Sequence, residues 1–246
     1  MKRLEPDKDE VVGKLIKECQ EKTKYTYGYR RVKIWLLREA GLVINHKAVL
    51  RLMRKYNLLA QIRRPRPYYQ RQNQFKPYEN RLNRNFTASK PNQKWVTDIS
   101  YIFTKQGVLY FSMIKDLYDN FIVSFEMANS QDMQLVSRTI QKAKGEVADG
   151  LLLHSDQGFQ YTSLAYFNLT KEYSILPSMS RAGTPLDNAC AENFFGILKS
   201  ECVYREKFET FEQAKITIND YIHFYNFERI QTKTKLTPYE KRCQLA

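Results

Sequence analysis

From Gln93 to Ala128 three runs rich in β-branched and aromatic residues, KWVTDISYIFT, VLYFSMIKDLY and FIVSFEMA, follow one another with only short turns between them, at Gly107 and at Asp119-Asn120. Strands joined so closely pair as an antiparallel meander. Beyond the third run the period changes. Residues 131 to 145 read as a helix, LLLHS as a fourth strand, 162 to 172 as a helix, SILPSMS as a fifth strand, and a further helix follows for which Asn188 is a suitable N-cap. A meander followed by alternating helices and strands gives an α/β domain: a mixed five-stranded sheet covered by helices on both faces.

Three acids stand at telling places in this pattern. Asp98 lies in the middle of the first run, flanked by Trp95 and Tyr101, where an isolated carboxylate is expensive to bury unless a cation compensates it. Asp156 follows the apolar run Leu151, Leu152 and Leu153, at the mouth of a buried strand, where open α/β sheets keep their chemistry. Glu192 falls in the later helix, with Phe195 and Lys199 recurring at helical spacing. Two aspartates and a glutamate make an oxygen-only site suited to Mg²⁺ or Mn²⁺. Two such ions, roughly 3.5 to 4 Å apart, clamp the attacking and leaving oxygens of a phosphoryl displacement. Spacing alone is weak support, since the chain has 26 acidic residues and an aspartate after a strand is ordinary turn chemistry. Asp116 and Asp119 read as turn formers on that ground. His154 suits either the orientation of a phosphate or water, or plain packing. Residues 178 to 190, broken by Gly183 and Pro185, read as a mobile entrance for DNA where Arg181 contacts phosphate.

WVTDISYI, HSDQGFQYTS and GTPLDNACAENFFGILKSE resemble the three catalytic blocks of the retroviral integrase superfamily, with the greatest likeness to the downstream (OrfB) product of bacterial insertion sequences that carry two overlapping reading frames. The resemblance implies a ribonuclease H-like fold and a DDE-type transposase. Asp98, Asp156 and Glu192 would be its catalytic and metal-binding triad, with Lys199 the basic residue two turns after the glutamate. Gln157, Gly158, Gln160, Tyr161 and Ser163 match the second block, and Asp187, Asn188 and Ala189 the third. Ser100 stands where threonine is commoner, and Leu186 where tyrosine is usual. The His-His-Cys-Cys zinc module of retroviral integrases is missing, which favours the bacterial group.

Charge is distributed unevenly. Of a formal net charge of +14, residues 1 to 90 hold 23 Lys and Arg against 8 Asp and Glu, so the whole excess lies in front of the triad. Such a segment attracts DNA phosphates by counterion release and steering. Within it, residues 10 to 22 suit a helix, and YGYRRVKIWLLREAG suits a second, with Val32, Trp35, Leu36 and Ala40 on one face and Gly41 as its stop. A third begins at the N-cap Asn45, with Val49, Leu52, Met53 and Tyr56 as its apolar stripe. Helix, Gly-containing turn and basic helix is the helix-turn-helix pattern. Any basic three-helix scaffold reads similarly. The DNA-contact candidates are Arg30, Arg31, Lys47, Arg51, Arg54, Arg63, Arg64, Arg66, Arg181 and Lys199.

The expected organisation is a helix-turn-helix domain over 1 to 60, a basic Pro-rich linker over 61 to 92, the catalytic core over 93 to 205, and a helical extension of that core over 206 to 246. The linker's Arg, Tyr and Phe suit phosphates and exposed bases, or equally a strap packed on the core by Tyr68, Tyr69 and Phe75. In the tail, a long amphipathic helix from Thr210 precedes a short one capped by Thr237 and opened by Pro238. YNFERIQTKTKLTPYEK resembles the family's ending, with Gln231 in place of a histidine often seen there. No signal-peptide core and no run of ~18 uncharged apolar residues is present, and four scattered cysteines indicate neither disulfides nor zinc, so a soluble cytoplasmic, nucleoid-associated protein is expected. Its partners would be double-stranded DNA at element ends and target, further copies of itself in a synaptic complex, and an upstream-frame partner or fusion. A ribonuclease H-like endonuclease, or a decayed transposase acting only as a DNA-binding regulator, are the alternatives.

Overall fold

The computed structural model describes residues 8–60 and 78–244, which divide into two compact units. The first contains α1 (Lys8–Lys22), α2 (Tyr29–Ala40) and α3 (His46–Lys55), together with the distant segment Glu228–Thr237. Helix α2 stops where the sequence requires: Gly41 adopts φ +64 and its N–H reaches Leu36 O, a conformation that costs glycine little. Asn45 caps α3 by accepting the Lys47 N–H at 2.8 Å. Ile16, Cys19, Val32, Leu36, Val49 and Met53 are fully inaccessible to solvent and form the centre of the unit. Gly13 sits under Tyr56, whose Cε2 would lie 2.6 Å from any added Cβ, so the ring and α1 approach more closely than an alanine would permit.

The second unit is the sheet domain. Its strands β1 (Lys94–Thr104), β2 (Gly107–Asp116), β3 (Ile122–Ala128), β4 (Leu152–Ser155) and β5 (Leu176–Met179) lie in the order β3-β2-β1-β4-β5. The first three pair antiparallel and β1, β4 and β5 pair parallel, giving the mixed sheet that the pattern implied. Helices α4 (Met133–Ala143), α5 (Leu164–Glu172), α6 (Ala189–Glu201), α7 (Phe211–Phe227) and α8 (Pro238–Cys243) complete it. Alternation along β1 sends Val96 and Ile102 into one core with Phe194, Leu198 and Ile218 of α6 and α7, while Trp95 enters a second core with Ile140 and Tyr166 of α4 and α5. Each fully buried side chain of this size contributes roughly 1.5–3 kcal/mol.

Two segments bear on the expected organisation. Of residues 206 to 246, expected as an extension of the core, α7 and α8 belong to the sheet domain while Glu228–Thr237 packs with the helices of the first unit. Within the Pro-rich stretch, Tyr68, Tyr69 and Phe75 lie outside the described residues, but the part that is described packs on the sheet domain: Tyr78 stacks on Phe167 with ring centroids 6.5 Å apart, and the Leu82 N–H donates to Ser178 Oγ at 3.0 Å.

Candidate active site

Asp98 shares the parity of Val96 and Ile102, so it belongs to the sheet face covered by α6 and α7. Strand β4 pairs with β1 through Lys94↔Leu152, Trp95↔Leu153 and Val96↔His154. Continued two residues further, this parallel register sets Asp98 level with Asp156, the first residue after β4. Both carboxylates are half-buried. Asp98 Oδ1 accepts its neighbour's N–H from Ile99 at 2.8 Å, and Asp156 Oδ1 accepts the Gly158 N–H at 2.8 Å in a turn that carries the chain away from the sheet. On the opposite face of the sheet, Tyr161 is 1% exposed and its hydroxyl lies 3.3 Å from Oγ1 of Thr97, the residue before Asp98. Burial pushes its phenol well above the usual tyrosine range, and the negative charges of Asp98 and Asp156 push it further.

Glu192 occupies the first turn of α6, where a carboxylate is favoured by the helix dipole, and its side chain is exposed. The start of α6 is fastened to the sheet near Asp98: Asn188 Nδ2 donates to Thr97 O at 3.5 Å, and Lys115 Nζ of the neighbouring strand β2 donates to Cys190 O at 3.3 Å. Asn188 therefore stands at the N-cap position without capping by its side chain, which is turned to the strand instead. Lys199, seven residues after Glu192, holds its ammonium 4.9 Å from the centre of the Tyr101 ring. The strand register sets the two aspartates level and the start of α6 is tied to β1, and among the described residues no three His, Cys, Asp or Glu side chains converge on one metal position. The donor set itself, carboxylate oxygens without sulfur or imidazole, fits a hard divalent cation.

A family model described as an integrase core domain matches residues 88–185, a second of the same description matches 192–245, and a helix-turn-helix-like domain model matches 6–66. The transposase InsK of insertion sequence element IS150 from Escherichia coli is 43% identical over 97% of this chain and 85% of its own length. The chain belongs to the insertion-sequence transposases of the integrase superfamily. A transposase-like protein of Haemophilus influenzae is also 43% identical, over 82% of this chain and 94% of its own. The transposase of IS1353 from Shigella flexneri is 34% identical over 94% of this chain but only 46% of its own length. Among solved structures, the catalytic core domain of HTLV-2 integrase in complex with magnesium superposes with a TM-score of 0.51 at 14% identity, covering 63% of this chain and 98% of that one. A chain of the simian T-cell lymphotropic virus intasome with a PP2A regulatory subunit gives 0.56 at 14% identity, covering 92% and 73%. These two show the shared fold.

In this transposase the other marked residues are placed as follows. His154 is fully buried, its ring nitrogens 2.9 Å from Ser178 Oγ and 3.0 Å from Ser180 Oγ, and burial lowers its pKa to about 4, so it is neutral and a packing residue. Asp116 and Asp119 do form the turn, accepting the Tyr118 and Phe121 N–H groups at 2.8 Å each, and also bind Arg242 of α8 at 3.3 and 2.9 Å. The segment before α6, expected to be loose, is pinned by Asp187. That carboxylate, with no solvent exposure, receives Arg181 through Nε and Nη2 at 2.8 Å, Arg84 Nε at 2.8 Å and Asn80 Nδ2 at 2.8 Å. These guanidiniums hold its pKa far below the usual carboxylate range. No spacing signal pointed to Arg84, because it lies over a hundred residues away in the linker.

In the helical unit, Lys47, Arg51 and Arg54 of α3 are exposed and share one open groove with Tyr29 and His46. Arg51 is clasped by Asp9 through two bonds of 2.8 and 2.9 Å. Arg30 is exposed beside the Tyr29 ring, whereas Arg31 is half-buried and donates to Ile230 O at 2.8 Å. Arg63, Arg64 and Arg66 lie outside the described residues. No described helix is long and apolar enough to cross a membrane.

Proposed function

We propose that this transposase cleaves DNA at the ends of its element and joins the freed 3′ ends to target DNA, with Asp98, Asp156 and Glu192 as the metal-binding triad. What supports the reading is the register of the parallel strands β1 and β4, which, continued two residues beyond Val96↔His154, sets Asp98 level with Asp156 next to the start of α6. Mg²⁺ or Mn²⁺, as two ions held by these carboxylates, would supply Lewis acidity to the scissile phosphate and lower the pKa of the attacking water or hydroxyl. The chain's own contribution is positional. Asp98 is held by a strand buried on both sides, Asp156 by its turn at Gly158, and Glu192 by a helix whose start is tied to β1. Lys199, on the same helix face two turns along, is suited to a phosphate near the reacting end. No protein nucleophile is needed.

The α3 groove is the DNA-binding surface in this reading, with α3 entering the major groove. Synapsis of two element ends calls for at least two protomers. The likeness to insertion sequences with two overlapping frames implies an upstream partner, fused or separate, that supplies further DNA-binding and dimerising segments. Glu192→Gln tests the chemistry. Cleavage and joining of a labelled element end should fall by roughly 10³-fold or more while duplex binding stays within about twofold. Joining at near-normal rate would remove Glu192 from the triad.

A further inference from the structure

Helix α7 ends at Phe227 and α8 begins at Pro238, yet the ten residues between them pack with the three-helix unit. They are built into it. The Tyr27 hydroxyl, in a side chain 1% exposed, accepts the Ile230 N–H at 2.7 Å and donates to the Glu228 carbonyl at 3.2 Å. Arg31 Nε donates to Ile230 O at 2.8 Å, and Arg38 Nη1 to Lys235 O at 3.3 Å. Arg229 and Ile230 are 1% and 4% exposed, so the entry to the segment is anchored in the unit's interior. Beyond the anchor the chain folds back on itself, with the Lys235 N–H on Gln231 O and the Gln231 N–H on Leu236 O, each at 2.8 Å. Thr232, Lys233 and Lys235 are left exposed around this turn.

Two features make the tip more than a connection. From Arg229 to Tyr239 there is no acidic residue, so the lysine charges are not offset within the loop. Lys235 adopts φ +62, a conformation that glycine or asparagine would hold at lower cost, so a long cationic side chain stands at a strained position. The contacts at Tyr27, Arg31 and Arg38 lay the segment along α2, from just before its start towards its end. When a helix-turn-helix docks, its first helix crosses the phosphate backbone while the second enters the groove. A basic loop carried on α2 then lies against phosphates.

We propose that residues 232–235 are a second DNA-contacting element of the helix-turn-helix unit, a wing-like loop contributed from the far end of the chain, in which Lys233 and Lys235 each neutralise a backbone phosphate beside the site read by α3. This rests on the reading of the helical unit as the DNA-binding unit. Phosphate contacts of this kind add affinity and salt dependence without base preference.

Full-length protein binding a fluorescent duplex, titrated at three salt concentrations, tests the proposal. Lys233→Ala/Lys235→Ala should lower affinity about tenfold and reduce the slope of log K against log salt by about 1.8, while Arg54→Ala of α3 reduces it by about 0.9. Lys233→Arg/Lys235→Arg, which keeps both charges, should bind like the parent, and the melting temperature should not change in either double variant because both side chains are solvent-exposed. A normal slope for the alanine pair with a reduced one for Arg54→Ala overturns the loop contact and leaves the helical unit as the DNA-binding unit. Normal slopes for both overturn the loop and that reading together. Equal losses in the alanine and arginine pairs would mean that the loop acts by shape, and the charge-based proposal falls.

Discussion

A missing side chain decides how Asp156 is held. A Cβ on Gly158 would stand 3.0 Å from Asp156 Oδ1 and 3.1 Å from Gln160 Oε1, so Gly158→Ala must displace that carboxylate by a few tenths of an ångström. Strand transfer should fall about tenfold or more, since small misplacements of reacting groups are costly, while the unfolding free energy changes by less than about 1 kcal/mol. Equal turnover in parent and variant would mean that the turn does not position Asp156. His154 carries a different signature. Its pKa falls from the ordinary 6.5 to about 4 on burial, so below pH 6.5 the unfolded chain takes up a proton that the native state refuses, and stability is lost as pH falls from 6.5 towards 4. Asp119 acts with the opposite sign: burial and then Asp116 raise it from 3.8 to about 6, so its contribution is lost as pH rises through that window. The two slopes offset each other in the parent. In urea unfolding of His154→Gln, the parent's advantage over the variant should therefore grow by ~3 kcal/mol between pH 4 and pH 6.5 and then level off. A constant gap would show that His154 is not held neutral.

At the scale of elements, Arg242 ties α8 to the β2–β3 turn, alongside the ring contacts of Tyr239 with Phe121 and Phe227. Arg242 reaches Asp116 and Asp119 through Nη1 and Glu146 through Nη2 at 3.1 Å, and its guanidinium lies 5.0 Å from the centre of the Phe121 ring. Asp116 and Asp119 are 0% and 1% exposed, so the β2–β3 turn contains two buried carboxylates whose charges are balanced from the C-terminal helix. Removing the guanidinium leaves them facing one another. Arg242→Ala should cost about 3–5 kcal/mol, read as a lower urea midpoint, and the deficit should shrink at pH 5, where protonation of Asp119 relieves the repulsion. A midpoint within error of the parent at pH 8 would mean that α8 is an ornament to the turn.

For the whole molecule, the separation of charge from chemistry has a measurable consequence. The basic excess lies in the first 90 residues, ahead of the triad, so binding by the chain alone should be steeply salt-dependent and only modestly selective for sequence. Gel shifts with element ends and scrambled DNA at two salt concentrations should show similar affinities for both. Fusion to an upstream dimerising segment should then raise the preference for ends, because two linked binding units gain effective concentration. Tight, salt-resistant, end-specific binding by the chain by itself would contradict this.

The sequence by itself determined what depends on near neighbours. Gly41 as the stop of α2, Asn45 as the cap of α3, the three paired strands before Asp132 and the strand that delivers Asp156 all follow from torsional preference and from periodicities a few residues long. Asp98, Asp156 and Glu192 stand out in the sequence because each lies in a short block of characteristic neighbours, and their metal-binding role is the proposal that Glu192→Gln tests. What only the tertiary structure decided is which distant groups meet. Asn188 has the composition of an N-cap, yet its amide goes to Thr97, 91 residues away. Asp187 is claimed by Arg84 and Arg181, Asp119 by Arg242, and Tyr27 by a backbone N–H 203 residues further on. With 40 Lys and Arg facing 26 Asp and Glu, every acid has many possible cations, and charge alone does not distinguish among them. The choice is made by the packing of the elements, which brings particular partners within hydrogen-bonding distance and leaves other charges of the same sign in water.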